Sequence, residues 1–246
     1  RHVCYLGLSE LSASLTEGRP AGLKYVAEGE TIYPHLKDLE PTVKKSWFEF
    51  DHFYSDNAFN EALREILKLQ PKTLSDIGGN TGKFAALCCS KDPDIKVRVL
   101  DLPPQCRTVE ENAKKKGFED RISTYEIDAL SSDPLPEIES DIWWMSQFLD
   151  CFSPEQVVSI LKKVKARLRA GDRIAILEIF LDTQKHRVAT ECLAAFSLYF
   201  TVMANGTSRF YSLEQFEKLI TEAGLVIERR ADALGLGHTL LICRKE

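Results

Sequence analysis

One stretch constrains this chain more than any other: Thr73-Leu74-Ser75-Asp76-Ile77-Gly78-Gly79-Asn80-Thr81-Gly82. It reads as a short apolar strand that ends in a glycine-rich turn, with a helix over 83–89 starting directly behind it. Glycine suits such a turn, because a strand reversing straight into a helix takes positive φ values and lies close to whatever binds there. Asn80 fits the same turn, since asparagine tolerates the left-handed region better than most residues. The helix then points unpaired backbone N–H groups at the space above the strand, a seat for an electron-rich group.

Downstream, Val97-Arg98-Val99-Leu100-Asp101-Leu102-Pro103 is a second apolar run, and its acid falls about twenty residues past the last turn glycine. In a strand–turn–helix–strand nucleotide site, an acid there hydrogen-bonds a ribose diol. Asp101 equally suits the cap of a helix that begins near Pro104. The turn itself discriminates between cofactors. Dinucleotide sites space their glycines as G-x-G-x-x-G against a pyrophosphate, whereas here Asp76 leads the pattern Asp76-x-Gly78-x-Asn80-x-Gly82. A carboxylate at the mouth repels a pyrophosphate and suits a ligand carrying an ammonium and a sulfonium. The pattern therefore favours S-adenosylmethionine over NAD.

The chain has 246 residues and a formal charge of -5, enough for a large core in one domain plus an appendage. Mild acidity gives no basic face for nucleic acid. No apolar run approaches the roughly 20 residues of a membrane span, and no signal-peptide pattern opens the chain. Seven cysteines without a C-x-x-C pair argue against a disulfide framework and a zinc site, and no metal is expected. Cys88 and Cys89 are expected to be inert packing, in a reducing and hence cytoplasmic compartment. The chain opens on Arg1, as a fragment would.

Residues 1 to about 70 read as helical and irregular, with Leu8, Leu11 and Leu15 on one helical face until Gly18-Arg19-Pro20 breaks it. Residues 41–69 are dense in aromatics, from Trp47 to Phe59, a pattern of core or interface that also offers pocket walls. From Lys72 strands and helices alternate, the mark of a parallel sheet covered on both faces. Strands are expected at 122–129, 141–148 and 173–181, and helices at 104–116, 153–168, 188–203 and 213–223. Two closing β runs, 225–233 and 239–244, are spaced as a hairpin. In such sheets the ligand lies beyond the carboxyl ends of the strands, which here carry Gly78, Asp101, Asp128, the 146–150 segment and Glu178. An acidic rim of this kind suits a cationic ligand, although carboxylates are also ordinary helix caps.

In order along the chain, Asp76-Ile77-Gly78-Gly79-Asn80-Thr81-Gly82, Asp101-Leu102-Pro103, the Asp128 turn and Leu149-Asp150-Cys151-Phe152-Ser153-Pro154-Glu155 resemble the class I S-adenosylmethionine-dependent O-methyltransferases. The subgroup is that of the dimeric small-molecule enzymes, such as the caffeic acid and acetylserotonin O-methyltransferases, and the resemblance covers nearly the whole chain. It implies an α/β fold: a doubly wound, mostly parallel, seven-stranded Rossmann-like methyltransferase sheet with a C-terminal antiparallel hairpin, preceded by a helical segment. Residues 1–70 would be the helical linker that helps build the substrate pocket and dimer, without the group's usual N-terminal winged-helix domain, and 71–246 the cofactor domain. The expected partners are a small, aromatic methyl acceptor and a second copy of the chain, with neither nucleic acid nor membrane.

Carried over by position, the resemblance places Asp76, Gly78 and Gly79 at the methionine part of the cofactor, Asp101 with Leu102 at the ribose, and Asp128 with Ala129 at the adenine. Ser146 or Gln147 falls where family members place a basic residue. Phe53, Met203 and Asn205 would face the substrate. The group's catalytic His aligns with Asp150, and Glu178 matches an acid that orients it. With a phenol near pKa 10 and Asp near 3.9, complete proton transfer is uphill by roughly 6 units, about 8 kcal/mol; for His the gap is about 3.5 units, roughly 5 kcal/mol. Three readings follow. Burial beside Glu178 raises the pKa of Asp150; the acceptor is more acidic than a phenol; or His52 is the base. Asp150 as a mere cap of the helix at Ser153-Pro154 is the plain alternative. A cofactor-binding protein that does not methylate, whether decarboxylase, hydroxylase or inactive scaffold, is the rival function.

Overall fold

A computed structural model of the chain describes residues 3–36 and 38–246, apart from the side chains of Phe50, Asp51, His52, Tyr54 and Ser55. The strand that leads into the glycine turn, β1 (Thr73–Ile77), lies in the middle of the sheet. It pairs in parallel with β2 (Lys96–Asp101) on one side and β4 (Ile142–Ser146) on the other. β3 (Ile122–Glu126) extends the sheet beyond β2, and β5 (Arg173–Ile179) extends it beyond β4, again in parallel. The hairpin β6 (Leu225–Leu234) and β7 (His238–Lys245) closes the other edge antiparallel, giving the order β3-β2-β1-β4-β5-β7-β6. The expected seven-stranded, mostly parallel architecture is therefore present.

Its central strands are buried on both faces, as their unbroken apolar runs require. Trp143 and Trp144 are neighbours in β4, point to opposite faces and are both fully buried. One face packs Trp144, Val97, Val99 and Leu177 under α2 (Pro41–Leu67) and α3 (Lys83–Lys91). The other packs Trp143, Met145 and Leu241 under α5 (Pro154–Arg167) and α7 (Leu213–Glu222). α4 (Pro103–Lys116) covers the β2–β3 edge. α5 and α7 both start with a reciprocal cap, Ser153 with Gln156 and Ser212 with Gln215, which satisfies donors that a helix start otherwise leaves open.

Three strands stop short of their expected ends: β3 at Glu126, β4 at Ser146 and β5 at Ile179. Just past these points the Ile127 and Gln147 N–H groups still donate to the Asp101 and Leu177 carbonyls of the neighbouring strands, both at 2.9 Å, but the backbone then leaves the ladder; Gln147, for example, turns away at φ 45°. The single helix expected over 188–203 is also divided. α6 (Arg187–Phe196) gives way near Ser197 to a wider π-type turn, Phe200–Ala204, closed by the Asn205 N–H donating to the Phe200 carbonyl at 3.3 Å, with the Gly206 N–H donating to the same carbonyl at 2.9 Å. The whole 18-residue stretch Arg187–Ala204 has a mean hydropathy of 1.2 and is about a third buried, closer to a spanning composition than expected from the sequence.

Leu8, Leu11 and Leu15 do not form a core-facing stripe. Leu8 is 41% exposed and Leu15 67% exposed, because α1 (Leu11–Glu17) is docked through Ser14, whose hydroxyl accepts the Ala21 N–H at 3.0 Å. The N-terminal turns pack on the π-type turn: Leu23, Ile32 and Leu36 share a core with Phe200, Val202 and Met203. α2 starts on Pro41 with the Glu40 carboxylate accepting from the Thr42 and Val43 N–H groups. Its Ala58, Ala62 and Ile66 then lie flat on the sheet.

All seven cysteines are free, and burial pushes the Cys88, Cys89 and Cys243 thiols up, the last to about 12. The hairpin tip meets α2 closely. Gly235 has φ +53°, its N–H donates to the Glu61 carboxylate at 3.1 Å, and a Cβ there would lie 2.6 Å from the Ala58 nitrogen. Gly235→Ala is expected to destabilise the chain by roughly 1–3 kcal/mol, read as a lowered urea midpoint with an unchanged m-value.

Candidate active site

The glycine turn is built as its sequence demands. Gly78, Asn80 and Gly82 have φ of 74°, 54° and 74°, and the Gly78 N–H donates to the Leu100 carbonyl at 2.9 Å, tying the turn to β2. A Cβ on Gly78 would lie 2.2 Å from the Phe148 ring, and one on Gly79 would lie 2.8 Å from Asp76 Oδ2. Asn112 of α4 braces the turn from behind, its Nδ2 donating to the Thr81 carbonyl at 3.0 Å.

Around the turn the structure brings Asp76, Asp101 and Asp128 onto one cavity of ≈ 890 Å³. Asp76 is 2% exposed, and its Oδ2 has no hydrogen-bond partner. Burial, with the nearby charge of Asp101, pushes its pKa up to about 8. Asp101 accepts from the Asn80 N–H at 2.8 Å through Oδ2 and from the Leu102 N–H at 2.7 Å through Oδ1. Those donors only partly offset burial, which raises it to about 6. Asp128 Oδ1 accepts from the Leu130 N–H at 2.8 Å. Leu102 and Ala129 lie on the same wall, and so do Ser146 and Gln147, whose Oγ and Oε1 are buried without partners.

The other end of the cavity is aromatic, walled by Trp47, Phe196, Tyr199, Phe200 and Phe210. Trp47 is held there by its Nε1–H, which donates to the Tyr199 hydroxyl at 2.9 Å. Asp150 stands between the two ends, 5% exposed, on the short turn Leu149–Cys151. Its Oδ1 accepts from the Cys151 thiol at 3.4 Å. Glu178 lies behind that turn and off the cavity wall. Its Oε1 accepts the Phe148 and Leu149 N–H groups at 3.1 and 2.9 Å, while Oε2 is buried with no partner. Burial first, then the charge of Asp150, holds Glu178 well above the usual carboxylate range.

Asn205 is on the wall, but its side chain is committed to backbone. Nδ2 donates to the Cys151 carbonyl at 2.7 Å, and Oδ1 accepts the Thr207 and Ser208 N–H groups at 3.0 and 2.9 Å. It braces the Asp150 turn. Met203 does not reach the cavity: it is fully buried against Gly7, where an added Cβ would lie 2.0 Å from its sulfur. Phe53 is 60% exposed and also off the wall, since its position on α2 turns outward. The His52 side chain lies outside the described residues. Sequence reasoning missed Thr31, Tyr33, Thr81 and Gln105, each with a buried, unpartnered oxygen on the cavity wall.

A family profile described as "O-methyltransferase domain" matches residues 9–226. The chain belongs to the O-methyltransferase domain family. It is 28% identical over 245 residues to the acetylserotonin O-methyltransferase of Macaca mulatta, covering 87% of this chain and 68% of that protein. To the bacteriochlorophyllide d C-20 methyltransferase of Chlorobaculum tepidum it is 25% identical over 179 residues, 71% of this chain and 52% of that one. The chain spans about half the length of most curated relatives it matches. Among solved structures, the O-methyltransferase NcsB1 with S-adenosyl-L-homocysteine and 1,4-dihydroxy-2-naphthoic acid superposes with a TM-score of 0.80 at 18% identity, over 98% of this chain and 69% of that one. These structural likenesses establish the fold of this family member.

The raised carboxyls fix a pH dependence. Asp76 and Asp101 have ordinary values of 3.8 and stand at about 8 and about 6 when folded. Between those limits the folded chain holds protons that the unfolded chain has released, so stability falls as pH rises. The ligand-free protein should lose thermal stability between about pH 4 and pH 8, and Asp76→Asn should flatten the upper part of that decline. Differential scanning calorimetry across this range checks both.

Proposed function

We propose that this chain transfers a methyl group from S-adenosylmethionine to a hydroxyl of a small, aromatic molecule. The observation that carries this reading is one cavity with buried carboxylates around a glycine turn at one end and aromatic walls at the other. Buried polar atoms with no protein partner, Asp76 Oδ2, Ser146 Oγ and Gln147 Oε1 among them, fit a polar, cationic nucleoside, because such atoms are costly until a ligand satisfies them. Gly78 and Gly79 would let the backbone approach its methionyl part, Asp101 with Leu102 would hold the ribose, and Asp128 with Ala129 would border the adenine. When bound, the cofactor supplies a methyl carbon on a sulfonium, whose sulfur keeps the bonding electron pair.

The chain's own share is to hold the acceptor in line with that carbon and to take its proton. Positioning by the aromatic wall supplies much of the rate. Asp150 is the carboxylate placed between the two ends to accept the proton, with His52 as the other candidate base. Glu178, its pKa raised first by burial and then by the charge of Asp150, fastens the Asp150 turn from below through the Phe148 and Leu149 N–H groups. A rival reading keeps the cofactor but not the transfer, because the resemblance aligns Asp150 with the group's catalytic His.

Residues 1–70 would form the pocket and dimer segment and 71–246 the cofactor domain. Exposed Tyr5, Leu6 and Leu15 support a homodimer, and the free cysteines support a cytoplasmic setting. Titration calorimetry with S-adenosylmethionine and S-adenosylhomocysteine tests the cofactor, and binding of neither would end the proposal. Labelled-methyl transfer to a panel of phenols and enols tests the reaction. Asp150→Asn should slow it on the order of 10²-fold while leaving cofactor affinity within about twofold; a panel without any turnover favours the rival.

A further inference from the structure

Residues 31–33 enter the cavity from the N-terminal segment. The Ile32 N–H donates to the Ala204 carbonyl at 2.9 Å, and its side chain is fully buried in the core shared with Phe200 and Met203. With Ile32 pinned inward, its neighbours on either side go to the cavity wall: Thr31 and Tyr33 both line it, both hydroxyl oxygens are buried with no nitrogen or oxygen partner, and the Tyr33 hydroxyl has only the weak Cys151 thiol beside it. A buried tyrosine hydroxyl normally finds a partner, and phenylalanine would fill the same space without the desolvation cost. The groups that face the Tyr33 hydroxyl are the Cys151 thiol, the Tyr199 hydroxyl and Asp150, with Glu178 behind Asp150. Together with burial they hold it well above the ordinary tyrosine value, so it remains a donor throughout the neutral range.

We infer that the Tyr33 hydroxyl is the donor that holds the acceptor's oxygen as that oxygen loses its proton, which makes the acceptor an aromatic hydroxyl seated with its oxygen against Tyr33. The inference rests on the methyl-transfer reading above. The acceptor O–H bond breaks, its proton passes to the base, and the oxygen keeps the electron pair that then forms the bond to the methyl carbon; Tyr33 keeps its own proton throughout. A hydrogen bond to the charged form favours that form, and bonds to an ionised oxygen are the stronger class. This is the help a phenol needs when the nearby base is a carboxylate instead of an imidazole. Among the described wall residues the only cationic side chain is Lys83, which is paired with Asp56 at 2.8 Å beside the glycine turn.

The test is spectroscopic. With the protein saturated by S-adenosylhomocysteine, 4-nitrophenol is titrated and its phenolate absorbance gives the pKa of the bound probe. Tyr33→Phe should raise that midpoint by about one pH unit or more, lower methylation of the same phenol on the order of tenfold, leave S-adenosylhomocysteine affinity unchanged, and keep the thermal midpoint equal to or above that of wild type. If the Phe variant fails to fold, a chain carrying 3-fluorotyrosine at position 33, a stronger donor in the same shape, should lower the midpoint. Equal midpoints in variant and wild type overturn the inference, and so does a probe that wild type leaves at its free-solution value. Failure of the wild type to bind S-adenosylhomocysteine would instead overturn the methyl-transfer reading beneath it.

Discussion

A carboxyl group taken out of water, with no cation beside it among the described residues, is the constraint around which this fold is arranged. Asp76 stands near the carboxyl end of β1 with an unpartnered oxygen, and burial and the charge of Asp101 push its pKa to about 8. In the turn that follows, position 79 has room for glycine only, because a Cβ there would press on that same carboxyl group and on Val99. Asp101 is held by two backbone N–H groups, one of them from Asn80 in the turn. The sheet thus places two desolvated acids within reach of a single ligand and leaves them costly until a cation arrives. Such strain at a site, carried by stability elsewhere, is a common mark of binding.

The rest of the chain completes what the sheet begins. The carboxyl ends of β1, β2 and β4 supply the polar half of the cavity. The aromatic half comes from α2 and from the stretch that ends in the π-type turn. Between them stands the Asp150 turn, fastened from below by Glu178 and from the side by Asn205. Those two residues brace this turn through backbone contacts, so a change in either would act through the position of Asp150. The N-terminal segment matters because it packs on the π-type turn and so carries Thr31 and Tyr33 to the wall.

Much of this is legible in the sequence, for local reasons. Apolar runs bounded by turns mark all seven strands. The strand ends they imply put Asp76, Asp101 and Asp128 on one rim, where the fold also has them. What stays hidden depends on tertiary contacts. Met203 reads as a wall residue but faces Gly7 instead, because the π-type turn rotates it into the core. Leu8 and Leu15 keep helical spacing yet stay exposed. No periodicity announces Tyr33: its place depends on one backbone hydrogen bond to Ala204, far along the chain.

Asp76, which burial holds largely protonated near pH 7, should release protons when a cationic nucleoside arrives, and the functional reading stands or falls on that exchange. Titration calorimetry of S-adenosylmethionine binding near pH 7, repeated in buffers of different ionisation enthalpy, counts those protons directly. A net release that is largely lost in Asp76→Asn is the predicted result. Binding with no proton release, or with proton uptake, would contradict it.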